Sequence, residues 1–449
     1  VSRITFRYCQ TNQRGAGVRL QKAPSLFARI FNIENAIVIL CFIPIFLFRY
    51  TFILFPGPLG YGPFISFYLL LPIFIGKYKV PFRELAWLIF VLMVGASGVM
   101  TGVIPNGVYI KVAGSIMLPY VFYAYVWRHF EYNVERLFTI YLKGAYVVSI
   151  IGLLLFVDSF VGYNLLHFLQ LFIYLDTIDA SFGIRLASSL GEPTYFANIV
   201  LPAGVVGMFR LIVKQDKGIG IDYLTKRKAI VIILALMLTY SAIAFVGLFL
   251  GGILLLLRHG AVRYAIMIPL ILIFARIVIL QVPELEDRYQ GVLSVSSEKT
   301  QSGDFHGSSF ILFNHAYITW MNVQENPLFG TGLGTHAIAT EKYSLGNKGV
   351  EFHYRTQNAQ DASSMLLRIL SELGLFGGVL VFIFLKRNLI PRVSEDPVLW
   401  LISTAIFVTI VMQLLRQGNY ILNGFPFFVL GFVFTRHEFN KRHVFKPTK

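Results

Sequence analysis

The sequence predicts an all-α polytopic membrane protein of about 12 transmembrane helices. Three observations carry that prediction. Of its 449 residues 56% are hydrophobic and only 14% charged, against roughly a quarter charged in soluble domains, so there is too little polar surface to cover a water-soluble particle of this size. The apolar residues gather into runs close to the roughly 20 residues that a helix needs to cross a bilayer. Lys and Arg lie in short clusters between those runs, mostly on alternate connections, as the positive-inside rule requires. The same clustering shows the net charge of +16 to be a topological signal, with no nucleic acid implied.

Taken in order, residues 1–35 form a basic, polar, interrupted arm with no apolar core of a cleavable signal, and are expected on the cytoplasmic side. Spans are predicted near 36–55, 62–76, 85–103, 109–127, 137–158 and 194–213. The run 229–257 is long for one helix and short for two. Lys226, Arg227 and Lys228 precede it and Arg258 and Arg263 follow it, so both ends belong on one side and the run divides into two short passes turning near Tyr240 and Ser241. A ninth span near 264–281 completes the block 36–281. Spans ten to twelve, near 362–385, 398–415 and 420–435, fill 362–435, and residues 436–449 are a second basic cytoplasmic tail. An even number of passes returns the C-terminus to the side of the N-terminus, and most of the 39 basic residues then face the cytoplasm.

Two external segments are longer than connectors need to be. The first, 159–193, contains Leu165-Leu166-His167-Phe168-Leu169-Gln170-Leu171-Phe172, expected as a helix lying at the membrane interface. The second, 282–361, is a large polar loop between spans nine and ten, of a length that is usually functional or disordered. Cys9 and Cys41 are the only cysteines and provide neither a disulfide framework nor a thiolate metal site.

Three segments carry a resemblance. Arg185-Leu186-Ala187-Ser188-Ser189-Leu190-Gly191-Glu192-Pro193-Thr194-Tyr195-Phe196-Ala197 is similar to the Arg…Glu-Pro-Ser-x-x-Ala signature of surface-polysaccharide polymerases, with Thr194 in the Ser position. Asn326-Pro327-Leu328-Phe329-Gly330-Thr331-Gly332-Leu333-Gly334 is similar to an Asn-Pro-Leu-x-Gly-x-Gly-x-Gly element of a large external loop. Leu370-Ser371-Glu372-Leu373-Gly374-Leu375-Phe376-Gly377 is similar to a Glu-x-Gly-x-x-Gly element in the span that follows. In this order and spacing they resemble the O-antigen polymerase and O-antigen ligase superfamily of bacterial envelope polysaccharide synthesis, over roughly 180–385. The chain departs from the ligases at Ser363, where counting back from Gly374 would place their His, and at Ala242, where a Ser-Arg pair is common after Ser241. Both departures favour a polymerase.

The resemblance implies a fold of the glycosyltransferase C type in the bacterial inner membrane. It also implies transfer of glycan from an undecaprenyl-diphosphate carrier to the hydroxyl of a lipid-linked repeat unit on the outer face. The expected partners are that lipid-linked oligosaccharide, membrane lipids and a regulator of chain length. The donor carries its own leaving group and no Asp-x-Asp or ligand-spaced cluster is present, so neither cofactor nor metal is expected. Cations must then stabilise the departing diphosphate, a task suited to the planar fork of arginine. The candidates are Arg185, Arg288 and Arg355, scarce positive charges on the outer side, where the alternative roles are headgroup contacts or pairing of Arg288 with Glu284 or Asp287. Glu192, at the mouth of the sixth span, and His353, near the end of the large loop, are the candidate proton acceptors. Glu192 could equally cap its helix, and His353 could be a solvated loop residue. Arg368 and Glu372, four apart on one helix face, are expected to form an ion pair or to line the substrate cavity with Tyr195 and Arg416. His306, His315 and His336 lie in no motif and are read as ordinary loop residues. The rival readings are a ligase that moves finished glycan to lipid A core or protein, and a transporter or flippase, against which stand the long external loop and the lack of a visible repeat.

Overall fold

A computed structural model describes residues 33–47, 62–162, 176–180, 183–212, 222–258, 307–345, 356–390 and 396–443. Val1–Ile39 and Leu40–Lys449 separate as two units; the described part of the first is the opening of helix α1, Ile33–Phe46. The predicted ninth span and the predicted interfacial helix lie outside the described residues, as do Arg288, His353 and Arg355.

Most helices form where the hydropathy places them, and two, Gly307–Glu325 and His336–Tyr343, form inside the segment expected as a polar loop. After α1 the helices are α2 Gly62–Lys77, α3 Phe82–Gly95, the single turn α4 Ser97–Met100, α5 Asn106–His129, α6 Val134–Val161 and α7 Pro193–Ile212. The chain continues through α8 Lys226–Met237, α9 Ala242–Arg258, α10 Gly307–Glu325, α11 His336–Tyr343, α12 Met365–Asn388, α13 Pro397–Arg416 and α14 Phe425–His443. Among the described residues six segments are long and apolar enough to cross a membrane: α3 with α4, α5, α6, α7, α12 and α13. Helix starts follow local chemistry. Asn133, Thr225, Ser364 and Asp396 each accept a hydrogen bond from a backbone N–H three residues on, satisfying one of the orphan donors of the first turn. The run 229–257 divides as charge demanded, with the chain leaving helix after Met237 and re-entering at Ala242.

The core is built on α7 and α13, whose apolar windows are 78% and 83% buried, against 28% for α12. The latter must therefore show much of its surface to lipid. Pro202 inside α7 removes a backbone donor, and beside it the Tyr141 hydroxyl donates to Ile199 O at 2.7 Å while Ala203 N–H donates to the same hydroxyl at 3.3 Å. A side chain of α6 thereby patches the helix ladder where proline opens it. Aromatic packing closes the space between α5, α6 and α14, with Trp127 stacked on Phe427 at 5.3 Å and Tyr141 edge-on to Phe428 at 5.1 Å. Ion pairs gather at one face: Arg128 with Glu84, and Arg442 with Glu135, Asp396 and Glu438. We call this the basic face.

One feature departs from an all-helical reading. Strands β1 Asp176–Ala180 and β2 Gly183–Ser188 pair antiparallel as a hairpin in the second half of the segment expected as an external connection. Its strands are short and carry no apolar run, so hydropathy does not register them.

Candidate active site

At the face opposite the basic one, β2 docks on the break between α8 and α9. Leu186 N–H donates to Leu238 O at 3.0 Å. The Arg185 guanidinium donates from Nε to Thr239 O at 3.1 Å and from Nη2 to Tyr240 O at 3.4 Å. These carbonyls lie just past the end of α8, so Arg185 is an anchor of the break as well as a charge at this face. Ser188 and Ser189 continue the docking, donating to Val148 O at 2.9 Å and Phe46 O at 2.6 Å. The chain then turns into α7 at Glu192. That residue is exposed, its carbonyl accepts from Phe196 N–H at 3.0 Å and its carboxylate accepts from the Thr194 hydroxyl at 3.0 Å. Tyr195, half-buried one position later, lies within electrostatic range of both Glu192 and Asp361.

Asp361 belongs to a second group of residues, presented by α12 and the turns around it. Arg368 donates from Nε to Glu372 Oε1 at 3.0 Å and from Nη1 to Gly418 O at 3.2 Å. Its guanidinium also lies over the Tyr420 ring, 4.2 Å from the centroid. The Tyr420 hydroxyl donates to Glu372 Oε2 at 3.0 Å. The Glu372 side chain is fully buried and that of Arg368 12% exposed. A buried ion pair persists only when further hydrogen bonds satisfy both partners, and losing either costs about 3–5 kcal/mol. Tyr420 and the Gly418 carbonyl supply those bonds. Arg416 closes the last turn of α13, half-buried, two residues before Gly418. Ser363 stands where a ligase would carry His. It sits in a left-handed turn at φ 54° and is held by Asn358 Nδ2 at 2.8 Å and by Asp361, whose carboxylate accepts the Ser363 N–H at 2.9 Å.

Two histidines complete the group, and sequence reasoning passed over both. His315 on α10 and His336 at the start of α11 are buried, with Nδ1 of the first 3.0 Å from Nε2 of the second. His315 Nε2 lies 2.9 Å from Gln357 O. A carbonyl can only accept, so His315 Nε2 carries the proton, its Nδ1 is a lone pair, and His336 Nε2 must donate to it. That leaves His336 Nδ1 as a bare, buried lone pair without a hydrogen-bond partner. Burial, His315 and the nearby Arg368 drive the pKa of His336 from 6.5 down to about 3. Burial also lowers His315, against its carbonyl bond and the Asp361 charge. Both rings are therefore neutral at physiological pH. Among the described residues no three His, Cys, Asp or Glu side chains gather as metal ligands.

The two glycine-rich segments prove to be one structure. Helix α12 is broken at Gly374, which takes φ 64° and ψ −161°, and the loop Asn326–Leu333 is laced into the gap. Thr331 N–H donates to Ser371 O at 3.3 Å and Gly332 N–H to Glu372 O at 2.8 Å, while Leu375 and Phe376 N–H donate to Pro327 O and Leu328 O at 2.8 and 3.0 Å. Asn322 adds a side-chain bond to Ser371 O at 2.9 Å. A Cβ on Gly332 would lie 2.3 Å from Gly98 N, and one on Gly374 2.5 Å from Leu328 O. Both glycines thus admit backbone-to-backbone contact that no side chain allows. The lacing fixes the helical turn that holds Glu372.

Residues 229–382, from α8 into α12, match the family model for O-antigen ligase. The match, over about a third of the chain, supports the likeness to the O-antigen ligase and polymerase superfamily. The matched stretch contains the histidine pair, the laced loop and the Arg368–Glu372 pair, and excludes Arg185, Glu192 and Tyr195. A search of curated proteins finds no match. Members of the matched family are glycosyltransferase-like enzymes, and the match agrees with the long apolar helices in pointing to a membrane protein.

Proposed function

We propose that the protein is a polymerase that extends a cell-surface glycan on an undecaprenyl-diphosphate carrier at the outer face of the bacterial inner membrane. The observation that carries this reading is a cavity of about 510 Å³ between α3, α5, α12, α13 and α14. Its walls include Trp87, Leu92, Tyr120, Leu373 and Phe384; Arg387 and Asn388 stand at one end and Tyr420 at the other. The Tyr420 hydroxyl bonds Glu372, so an apolar channel ends beside a polar cluster. That is the shape of an amphiphile with a long hydrocarbon tail and a charged head.

In this reading the acceptor hydroxyl attacks the anomeric carbon, the bond from that carbon to the phosphate oxygen breaks, and the lipid diphosphate departs with the electron pair. Arg185, with Arg288 and Arg355 of the large loop, neutralises the departing diphosphate, and Arg368 and Arg416 line the approach. Glu192, exposed and bonded only to a neighbouring hydroxyl among the contacts described above, takes the proton, with His353 as the second candidate. The choice of polymerase over ligase rests on Ser363, whose hydroxyl is committed to Asn358 and has no basicity to offer.

The test is a reconstitution in nanodiscs with a lipid-diphosphate-linked repeat unit as the sole substrate and no nucleotide or divalent metal. A ladder, or dimers of the repeat unit, is expected, and Glu192→Gln should abolish it while leaving the protein folded. The match to the O-antigen ligase family model favours a second reading, transfer to lipid A core. Product formed only when that acceptor is added would overturn the polymerase assignment, and no covalent product in either mixture would return the transport reading.

A further inference from the structure

We propose that the loop Asn326–Leu333 is re-entrant: it lies inside the hydrocarbon layer, with Leu328 and Phe329 against lipid acyl chains, although it belongs to a segment whose composition reads as a water-exposed loop. Two helices measure its depth independently. Its lacing to α12 centres on Gly374, twelve residues above Lys386 in the basic last turn of that span. At 1.5 Å per residue this is about 18 Å. Leu333 N–H donates to Gly95 O at 2.9 Å, and Gly95 lies twelve residues above Arg83 in the first turn of α3, again about 18 Å. The two spans run in opposite directions and give the same height above one basic boundary. The hydrocarbon layer is about 30 Å thick, so the loop sits well below its far surface. This depth rests on α3 and α12 crossing the membrane and is independent of the reaction catalysed.

Irregular backbone survives at such depth only where its polar groups are satisfied by protein, and the loop takes many such bonds. The N–H groups of Gly330, Thr331, Gly332 and Leu333 bond to Asn326, Ser371, Glu372 and Gly95, and the carbonyls of Pro327 and Leu328 accept from α12. A loop in water has no need of that accounting. The side chains left outside the lacing are apolar. Leu328 is 64% and Phe329 51% exposed, in line with Leu375, Val379 and Met93 on the adjoining spans at 52%, 54% and 62%. Phe329 also packs on Phe376 at 5.4 Å, which meets Phe90 of α3 at 6.3 Å. One apolar surface therefore runs unbroken from the spans onto the loop, and bilayer lipid is the solvent that fits it.

The test is nitroxide accessibility in proteoliposomes. Labels at Leu328→Cys and Phe329→Cys, on a background lacking the two native cysteines, are compared with Phe382→Cys on the exposed side of α12 and with Gln360→Cys in the turn before it. Collision with oxygen, which concentrates in hydrocarbon, is measured against collision with a water-soluble nickel chelate. The loop labels should follow the Phe382 control, with oxygen dominant several-fold. Nickel dominance like that of the Gln360 control at both positions would overturn the proposal. The two sites serve as alternatives should one variant not fold.

Discussion

His336 shows how a single side chain reports on the architecture around it. Its lone Nδ1 follows from a chain of donors fixed at one end by the Gln357 carbonyl. Its neutrality follows from burial and from the charge of Arg368. The linkage has a definite sign. The folded pKa, about 3, lies below the unfolded 6.5, so between those values the unfolded chain binds the proton and the folded chain does not. Stability from this group is complete above 6.5 and is lost as pH falls towards 3. The slope of the melting temperature against pH between 6 and 4 should therefore be shallower in His336→Gln, read by thermal unfolding in detergent. An unchanged slope would refute the assignment. None of this was legible in the sequence, because His315 and His336 lie on different helices, 21 residues apart with no shared pattern. Arg368 and Glu372 were legible, since the spacing that joins them is a property of one helix.

At the scale of elements, the glycine-rich segments were read as two signatures and are one joint. Sequence spacing could not show it, because the joint forms between residues 40 or more positions apart, by backbone groups that every residue possesses. The glycines are the visible trace. Gly332→Ala and Gly374→Ala should each lower the melting temperature by several degrees, since positive φ alone costs about 1–3 kcal/mol in a residue with a Cβ and the collisions add to it. Gly114→Ala, in α5 with open space around it, serves as the control and should be neutral or mildly stabilising. The break between α8 and α9 was legible for a different reason: charge at both ends of an apolar run constrains how many times it can cross. The hairpin that covers the break was not. Its residues are individually unremarkable, and their role appears only when the carbonyls just past the end of α8 are placed beside them.

For the whole molecule, composition and the charge pattern were enough to anticipate the helical frame, because a bilayer allows so few ways of satisfying a backbone. The sidedness proposed from the basic clusters has a direct test. Reporter fusions at Gly220 and Ile390 should report the cytoplasm and one at Trp320 the opposite compartment; a cytoplasmic report at Trp320 would remove the topology on which the outer-face chemistry depends. The candidate site itself was only half visible in advance. Arg185, Glu192 and Arg368 stood out as charges in apolar surroundings, while Tyr420, Asp361 and Gln357 reach the site through turns that carry no periodic signal.

The shortness of α8 has a consequence for the membrane itself. Twelve residues reach about 18 Å, against a hydrocarbon thickness of about 30 Å, so the carbonyls of Thr239 and Tyr240, and the guanidinium bound to them, end well below the usual level of the lipid headgroups. Hydrophobic mismatch of this kind is met by thinning the bilayer, at a modest cost for each ångström. If α8 crosses the bilayer at this length, the leaflet around it is drawn down towards Arg185. Under the proposed function a sugar chain on a lipid anchor then has less hydrocarbon to negotiate there, and the protein brings the water boundary to its charges instead of extending its charges to the water.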